Sequence, residues 1–139
     1  MTKSALVLED SATQTIIIGK MLQHAGYLPV HASDQAAALA MLKTRGFDLL
    51  VLDVFVGGDN TLDHLDTYRA LAPKTPIAIM TAGRRDDPLA ASSALNKARR
   101  ARADFLLPKP FHFDDIAQIC ADADRLNSER GNSTSQVFL

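Results

Sequence analysis

The 139-residue chain has no tryptophan and a single cysteine, Cys120. One cysteine excludes an internal disulfide and points to a cytoplasmic setting. Cys120 falls in a helical apolar pattern and reads as core filler. No apolar run approaches the roughly 20 residues that a membrane-crossing helix needs, so membrane insertion is not expected. The opening Met1-Thr2-Lys3-Ser4 lacks the charged-then-apolar layout of a secretory signal. Charge of one sign is also missing: the net charge is −1, so the chain as a whole is no polyanion binder. The length and the 47% hydrophobic content suit one globular domain with one sizeable core.

Short apolar runs alternate with longer amphipathic stretches. The strand-like runs are Ala5–Leu8, Tyr27–His31, Leu49–Leu52, Ile77–Met80 and Phe105–Leu107. Leu49-Leu50-Val51-Leu52 shows no polar alternation, as expected of a parallel strand buried on both faces. Ser11 can cap a first helix that Gly26 ends, with Thr15, Ile18, Leu22 and Ala25 on one face. Ser33 or Asp34 can cap a second helix, closed by Gly46. A third should run from about Thr61 to Leu71, before Pro73. Asp87-Pro88 is a start signal for a fourth. Asp114 or Asp115 starts a fifth, with Ile116, Ile119, Cys120 and Ala123 at helical spacing. Five β/α units imply an α/β fold: a doubly wound, five-stranded parallel sheet of flavodoxin-like order 2-1-3-4-5. From Asn127 the sequence turns polar and reads as a flexible tail, 127–139, ending in Val137-Phe138-Leu139.

In such a sheet, ligands bind outside the carboxyl ends of the strands, near the switch point between strands 1 and 3. The first strand ends in Glu9-Asp10 and the third in Asp53, so three carboxylates converge. Unrelieved, they raise one another's pKa. A hard divalent cation relieves this, and an all-oxygen site that retains water suits Mg²⁺, with Glu9, Asp10 and Asp53 as ligands. Strand 4 ends in Thr81 and strand 5 near Lys109, which adds a hydroxyl and an ammonium to the same crevice. These are the parts of an aspartyl-phosphate site, with Asp53 as nucleophile and Thr81 and Lys109 stabilising the transferred phosphoryl oxygens. Singly, each residue has a plainer reading: a turn carboxylate, a turn hydroxyl, a solvated lysine. Their joint placement at four strand ends is what carries the inference.

The segments Leu8-Glu9-Asp10-Ser11, Phe47-Asp48-Leu49-Leu50-Val51-Leu52-Asp53, Met80-Thr81-Ala82 and Leu107-Pro108-Lys109-Pro110-Phe111 carry a family resemblance. Over residues 4 to 126 the chain resembles a response-regulator receiver domain, the family of the chemotaxis regulator CheY. The resemblance implies a receiver unit over residues 1–126 and a cis Lys109–Pro110 bond. It further implies a histidine kinase or phosphotransfer protein as phosphoryl donor, and a monomer. It implies no enzyme beyond self-catalysed phosphorylation and dephosphorylation of the aspartate. No output domain follows in the sequence, so output is expected through binding.

Three positions depart from the family pattern. Where the family often has Met-Pro and then Gly, this chain has Val56-Gly57 and Thr61, so the loop Gly57-Gly58-Asp59-Asn60 is expected to be more flexible than a proline loop. Three residues before the lysine, where the family has Tyr or Phe, stands Leu106. Phe105 precedes it and should point to the other face, because strand side chains alternate. Finally, the stretch from Thr81 to Lys109 is longer than the family norm.

That longer stretch holds six of the 15 basic residues: Arg84, Arg85, Lys97, Arg99, Arg100 and Arg102. Ser92, Asn96, Arg99 and Arg100 share a helix face by spacing. Guanidinium groups pair with guanine edges, stack on bases and grip phosphate. Arg84-x-x-Asp87 sets a guanidinium beside a carboxylate able to accept guanine N–H groups. The arrangement resembles the Cle class of CheY-like proteins. That resemblance implies cyclic di-GMP binding through Arg84, Arg85, Asp87, Ser92, Asn96, Arg99, Arg100 and Arg102, and action on a target such as a flagellar motor switch protein. The alternatives are a stand-alone phosphorylation switch or phosphate sink, and a solvated basic helix end that serves only the helix dipole. A nucleic-acid contact ranks last, because the net charge is negative and tryptophan is absent.

Overall fold

The computed structural model describes residues 2–81 and 103–131. The elements run β1 (Lys3–Leu8), α1 (Ala12–His24), β2 (Tyr27–Ala32), α2 (Gln35–Thr44), β3 (Leu49–Asp53), β4 (Phe55–Val56), β5 (Asp59–Asn60), a 3₁₀ turn (Thr61–His64), α3 (Leu65–Leu71), β6 (Ile77–Thr81), β7 (Phe105–Pro108) and α4 (Phe113–Arg130). The five long strands form one parallel sheet in the order β2-β1-β3-β6-β7. This is the expected 2-1-3-4-5 order once the two-residue strands β4 and β5 are set aside. The expected fourth helix lies outside the described residues.

The alternation of strand side chains divides the core in two. Leu6, Leu8, Leu50, Leu52, Ile77 and Ile79 face one side, packed with Ala38 and Leu42 of α2 and Leu65 and Tyr68 of α3. Ala5, Val7, Leu49, Val51, Ala78 and Met80 face the other, with Ile18 and Leu22 of α1 and Ile116, Ile119, Cys120 and Ala123 of α4. Cys120 is buried, and burial pushes its thiol up to about 12, so it is filler rather than a reactive group.

The helix starts follow the caps. The Ser11 side chain accepts from the Gln14 amide, and Asp34, rather than Ser33, accepts from the Ala37 amide. Gly26 takes a left-handed φ of 90° after α1. Three expectations are corrected. α2 ends at Thr44 with an extended Arg45, so Gly46 does not close it. The C-terminal helix begins at Phe113, capped at His112, whose amide donates to Asp115 Oδ2 at 2.8 Å. That helix then runs through the polar stretch read as tail, up to Arg130 and a left-handed Gly131. It persists because two of its polar residues have fixed partners. Asn127 is buried and donates to the Asp48 carbonyl at 2.8 Å, and Arg130 pairs with Asp104 at 2.7 Å. Residues 132–139 lie outside the described residues.

Candidate functional site

The site sits at the carboxyl ends of β1, β3, β6 and β7. Register places it: Leu8 lies beside Leu52, Asp53 beside Met80 and Thr81 beside Pro108. One residue beyond each pairing, the chain delivers Glu9-Asp10, Asp53 and Lys109 to a common edge. Candidate ligand oxygens of Glu9, Asp10 and Asp53 all lie within 4.8 Å of one another. Glu9 and Asp53 are buried, while Asp10 is exposed at the mouth. The Lys109 ammonium reaches both buried carboxylates, 3.0 Å from Glu9 Oε2 and 3.0 Å from Asp53 Oδ2. Its amide donates to the Thr81 carbonyl at 2.9 Å, which anchors the lysine to the adjacent strand end. Thr81 itself is buried there.

Each acidic residue is also held from behind. The Glu9 amide donates to the Ala32 carbonyl at 3.1 Å, and Glu9 Oε1 accepts from the Ser11 amide at 3.2 Å. Asp10 Oδ2 accepts from the Gly57 amide at 3.1 Å. One ammonium against three carboxylates leaves the site negative. Burial, then the hydrogen bond with Glu9, raise the Asp53 carboxyl from 3.8 to about 6, although Lys109 pulls the other way. For Lys109, burial opposes the charge, but the bonds to Asp53 and Glu9 outweigh it and raise its pKa.

The donor set fits magnesium. Octahedral Mg²⁺ binds oxygens at about 2.0–2.1 Å, so its ligand oxygens stand roughly 3 Å apart when adjacent and roughly 4 Å when opposite. A 4.8 Å spread needs only a small inward turn of the carboxylates. With one ligand exposed, the mouth leaves room for water.

The Response regulator receiver domain profile matches residues 5–121. The chain belongs to that family. It is 29% identical over 111 residues to the transcriptional regulatory protein ZraR of Escherichia coli O157:H7, covering 80% of this chain and 24% of that protein. The chain thus spans about a quarter of the length of that relative. Among solved structures it is similar to a CheY-like receiver domain protein from Methanospirillum hungatei, with a TM-score of 0.79, 19% identity and coverage of 93% of this chain and 99% of that one. It is also similar to a response regulator from Burkholderia pseudomallei solved with a phosphorylated aspartic acid, calcium ion and citrate. There the TM-score is 0.73 at 22% identity, covering 98% of this chain and 77% of that one. As a receiver domain, the chain is a module of two-component signalling; such domains usually bind Mg²⁺ in an acidic pocket and typically interact with histidine kinases or phosphotransfer proteins, and the Glu9-Asp10-Asp53 cluster is such a pocket. Among the described residues, no helix is long and apolar enough to cross a membrane.

Against the receiver pattern, the sequence expectations fare unevenly. The Lys109–Pro110 bond is cis, as expected. Glu9, Asp10, Asp53, Thr81 and Lys109 meet at one edge. Arg84, Arg85, Asp87, Ser92, Asn96, Arg99, Arg100 and Arg102 lie outside the described residues. The loop Gly57-Gly58-Asp59-Asn60 forms a tight hairpin. β4 and β5 pair antiparallel, Phe55 with Asn60 and Val56 with Asp59, and Gly57 and Gly58 make the turn with φ of 59° and 78°. Two successive left-handed residues are what a two-residue hairpin turn needs, so the glycines order this loop. A Gly-Gly pair between short extended runs is a hairpin signal in the sequence itself. Three contributors escaped the sequence reading: the Gly57 amide on Asp10, the His31 ring 2.7 Å from the Glu9 carbonyl, and Thr61, whose hydroxyl donates to the Asp53 carbonyl.

Proposed function

We propose that this protein is a phosphorylation-controlled switch in which Asp53 accepts a phosphoryl group. One observation carries the reading: Lys109 Nζ stands 3.0 Å from both Asp53 Oδ2 and Glu9 Oε2, in a crevice that also gathers Asp10 and Thr81. Asp53 attacks the phosphorus of a phosphohistidine; an O–P bond forms, the N–P bond breaks, and the imidazole leaves and takes up a proton. Lys109 and the Thr81 hydroxyl offset the charge on the transferred oxygens. Glu9, Asp10 and Asp53 would hold a Mg²⁺ ion, which would supply charge neutralisation for the transferred phosphoryl group. The phosphorylated aspartate and bound calcium of the Burkholderia pseudomallei regulator support this assignment by similarity of fold. The donor is a histidine kinase or phosphotransfer protein, and the setting is cytoplasmic. A small phosphodonor should label the full chain only when Mg²⁺ is present and Asp53 is intact.

A second reading rests on the sequence between Thr81 and Ala103. Its arginines, together with Asp87, Ser92 and Asn96, suit a guanine-containing dinucleotide, cyclic di-GMP, whose binding would promote docking to a target such as a flagellar motor switch protein. Leu106 supports a separate input, since it stands where the family pattern has a Tyr or Phe ring. Calorimetric titration with cyclic di-GMP should show binding that falls sharply in Arg99→Ala and Arg100→Ala. Absent binding, or binding equal in all three proteins, removes this reading and leaves the phosphoacceptor untouched.

A further inference from the structure

A buried relay of side-chain hydrogen bonds connects Asp53 to α2 and α3. The Thr61 hydroxyl donates to the Asp53 carbonyl. Gln35 Nε2 donates to Thr61 Oγ1 at 2.7 Å, and the Tyr68 phenol donates to Gln35 Oε1 at 2.6 Å. Thr61 and Tyr68 are fully buried, and Gln35 is 7% exposed. The direction of the relay is forced. A hydroxyl has one proton, and that of Thr61 goes to Asp53, so its oxygen must accept. Only the amide end of Gln35 can serve it, which leaves Oε1 toward Tyr68, whose phenol must then donate.

Packing alone does not call for these polar atoms. Valine at 61 and phenylalanine at 68 have nearly the same shapes, and burying polar groups is unfavourable unless each is bonded. Yet three elements send a polar side chain inward: Gln35 from the first turn of α2, Thr61 from the end of the hairpin and Tyr68 from α3. Linked in series, they end on one carbonyl, that of the residue carrying the acceptor carboxylate. The Thr61 amide also donates to the Val54 carbonyl at 2.8 Å, and the Val54 amide to Met80 at 3.0 Å. The peptides on either side of Val54 are therefore pinned directly behind the site.

We infer that Thr61, Gln35 and Tyr68 are positioning residues for phosphoryl transfer at Asp53, fixing the strand end from which its carboxylate meets Lys109. This rests on the phosphoacceptor reading of Asp53. Transfer needs the attacking oxygen near van der Waals contact and in line, and a displacement of about 1 Å can slow such a step roughly a hundredfold. Looser support at one peptide should have a smaller effect.

The test is the rate at which the full chain is labelled by acetyl phosphate in saturating Mg²⁺, with folding followed by circular dichroism. Thr61→Val and Tyr68→Phe should label roughly threefold to tenfold more slowly than wild type. Thr61→Ser, which keeps the hydroxyl, should label near the wild-type rate. Asn127→Ala breaks a buried hydrogen bond at the opposite end of the sheet and controls for general destabilisation. It should label at the wild-type rate. If Thr61→Val does not fold, Tyr68→Phe decides. Wild-type rates in the valine and phenylalanine variants overturn the inference alone, as does equal slowing in Asn127→Ala. An unlabelled wild type overturns both this and the phosphoacceptor reading.

Discussion

Phe105 and Leu106 pack into opposite halves of the core. Leu106 lies against the cluster built by α2 and α3, and Phe105 against that built by α1 and α4. The Phe105 ring therefore faces away from the half of the core that holds Leu106, Ile79 and Tyr68. Upon phosphorylation, or addition of beryllofluoride as a phosphoryl mimic, the methyl resonances of Leu106 should move less than the ring resonances of Tyr68. A larger response at Leu106 would place the main response at the β7 edge of the sheet rather than at Tyr68.

The raised Asp53 pKa makes a claim about stability. The folded protein holds the Asp53 proton more tightly than the unfolded chain, up to about 6 against 3.8. Stability from this group is therefore complete below about pH 4 and is lost as pH rises through 6. At 1.36 kcal/mol per pH unit, that interval corresponds to roughly 3 kcal/mol as an upper bound. At pH 7 without divalent cations, Asp53→Asn should be more stable than wild type by about 1–3 kcal/mol in urea denaturation. The gain should vanish near pH 4, and Mg²⁺ at pH 7 should shrink it by stabilising the wild type. A destabilised Asp53→Asn at pH 7 would refute the electrostatic picture of the site.

Asp104 fastens three elements at the opposite edge of the sheet. Its carboxylate accepts from Arg130 at 2.7 Å, from Arg69 at 3.1 Å and from the Ile77 amide at 2.9 Å. Burial acts to raise its pKa, but these bonds prevail and hold it below the ordinary value. The stability it contributes is present above about pH 4 and is lost as pH falls through the folded value. Asp104→Ala should destabilise the protein by about 2–4 kcal/mol at neutral pH, because it removes the carboxylate that pairs with two partly buried guanidinium groups. Asp104→Asn should do so by less, and both variants should flatten the acid limb of the stability curve. Denaturant midpoints across pH 3–7 check both statements.

The sequence disclosed the sheet because each long strand is an apolar run of the right length, with helix caps at Ser11 and Asp34. The acidic cluster was legible for the same reason: a strand end fixes where Glu9, Asp10, Asp53 and Lys109 must stand, without any knowledge of side-chain packing. Other features depended on partners distant in sequence. Asn127 looks like tail until the Asp48 carbonyl, 79 residues away, is beside it. Gln35 and Tyr68 are 33 residues apart in the chain, and only the fold brings their side chains within 2.6 Å of each other. The use of Gly57-Gly58 becomes visible only with the φ values of the pair, which close a two-residue turn between β4 and β5.

The central claim is that Asp53 is the acceptor. Incubating the full chain with acetyl phosphate and Mg²⁺, then measuring intact mass, tests it directly. The wild type should gain the mass of one phosphoryl group, lose the gain when EDTA replaces Mg²⁺ in the incubation, and show none in Asp53→Ala. An unmodified wild type, or equal modification of Asp53→Ala, would contradict it.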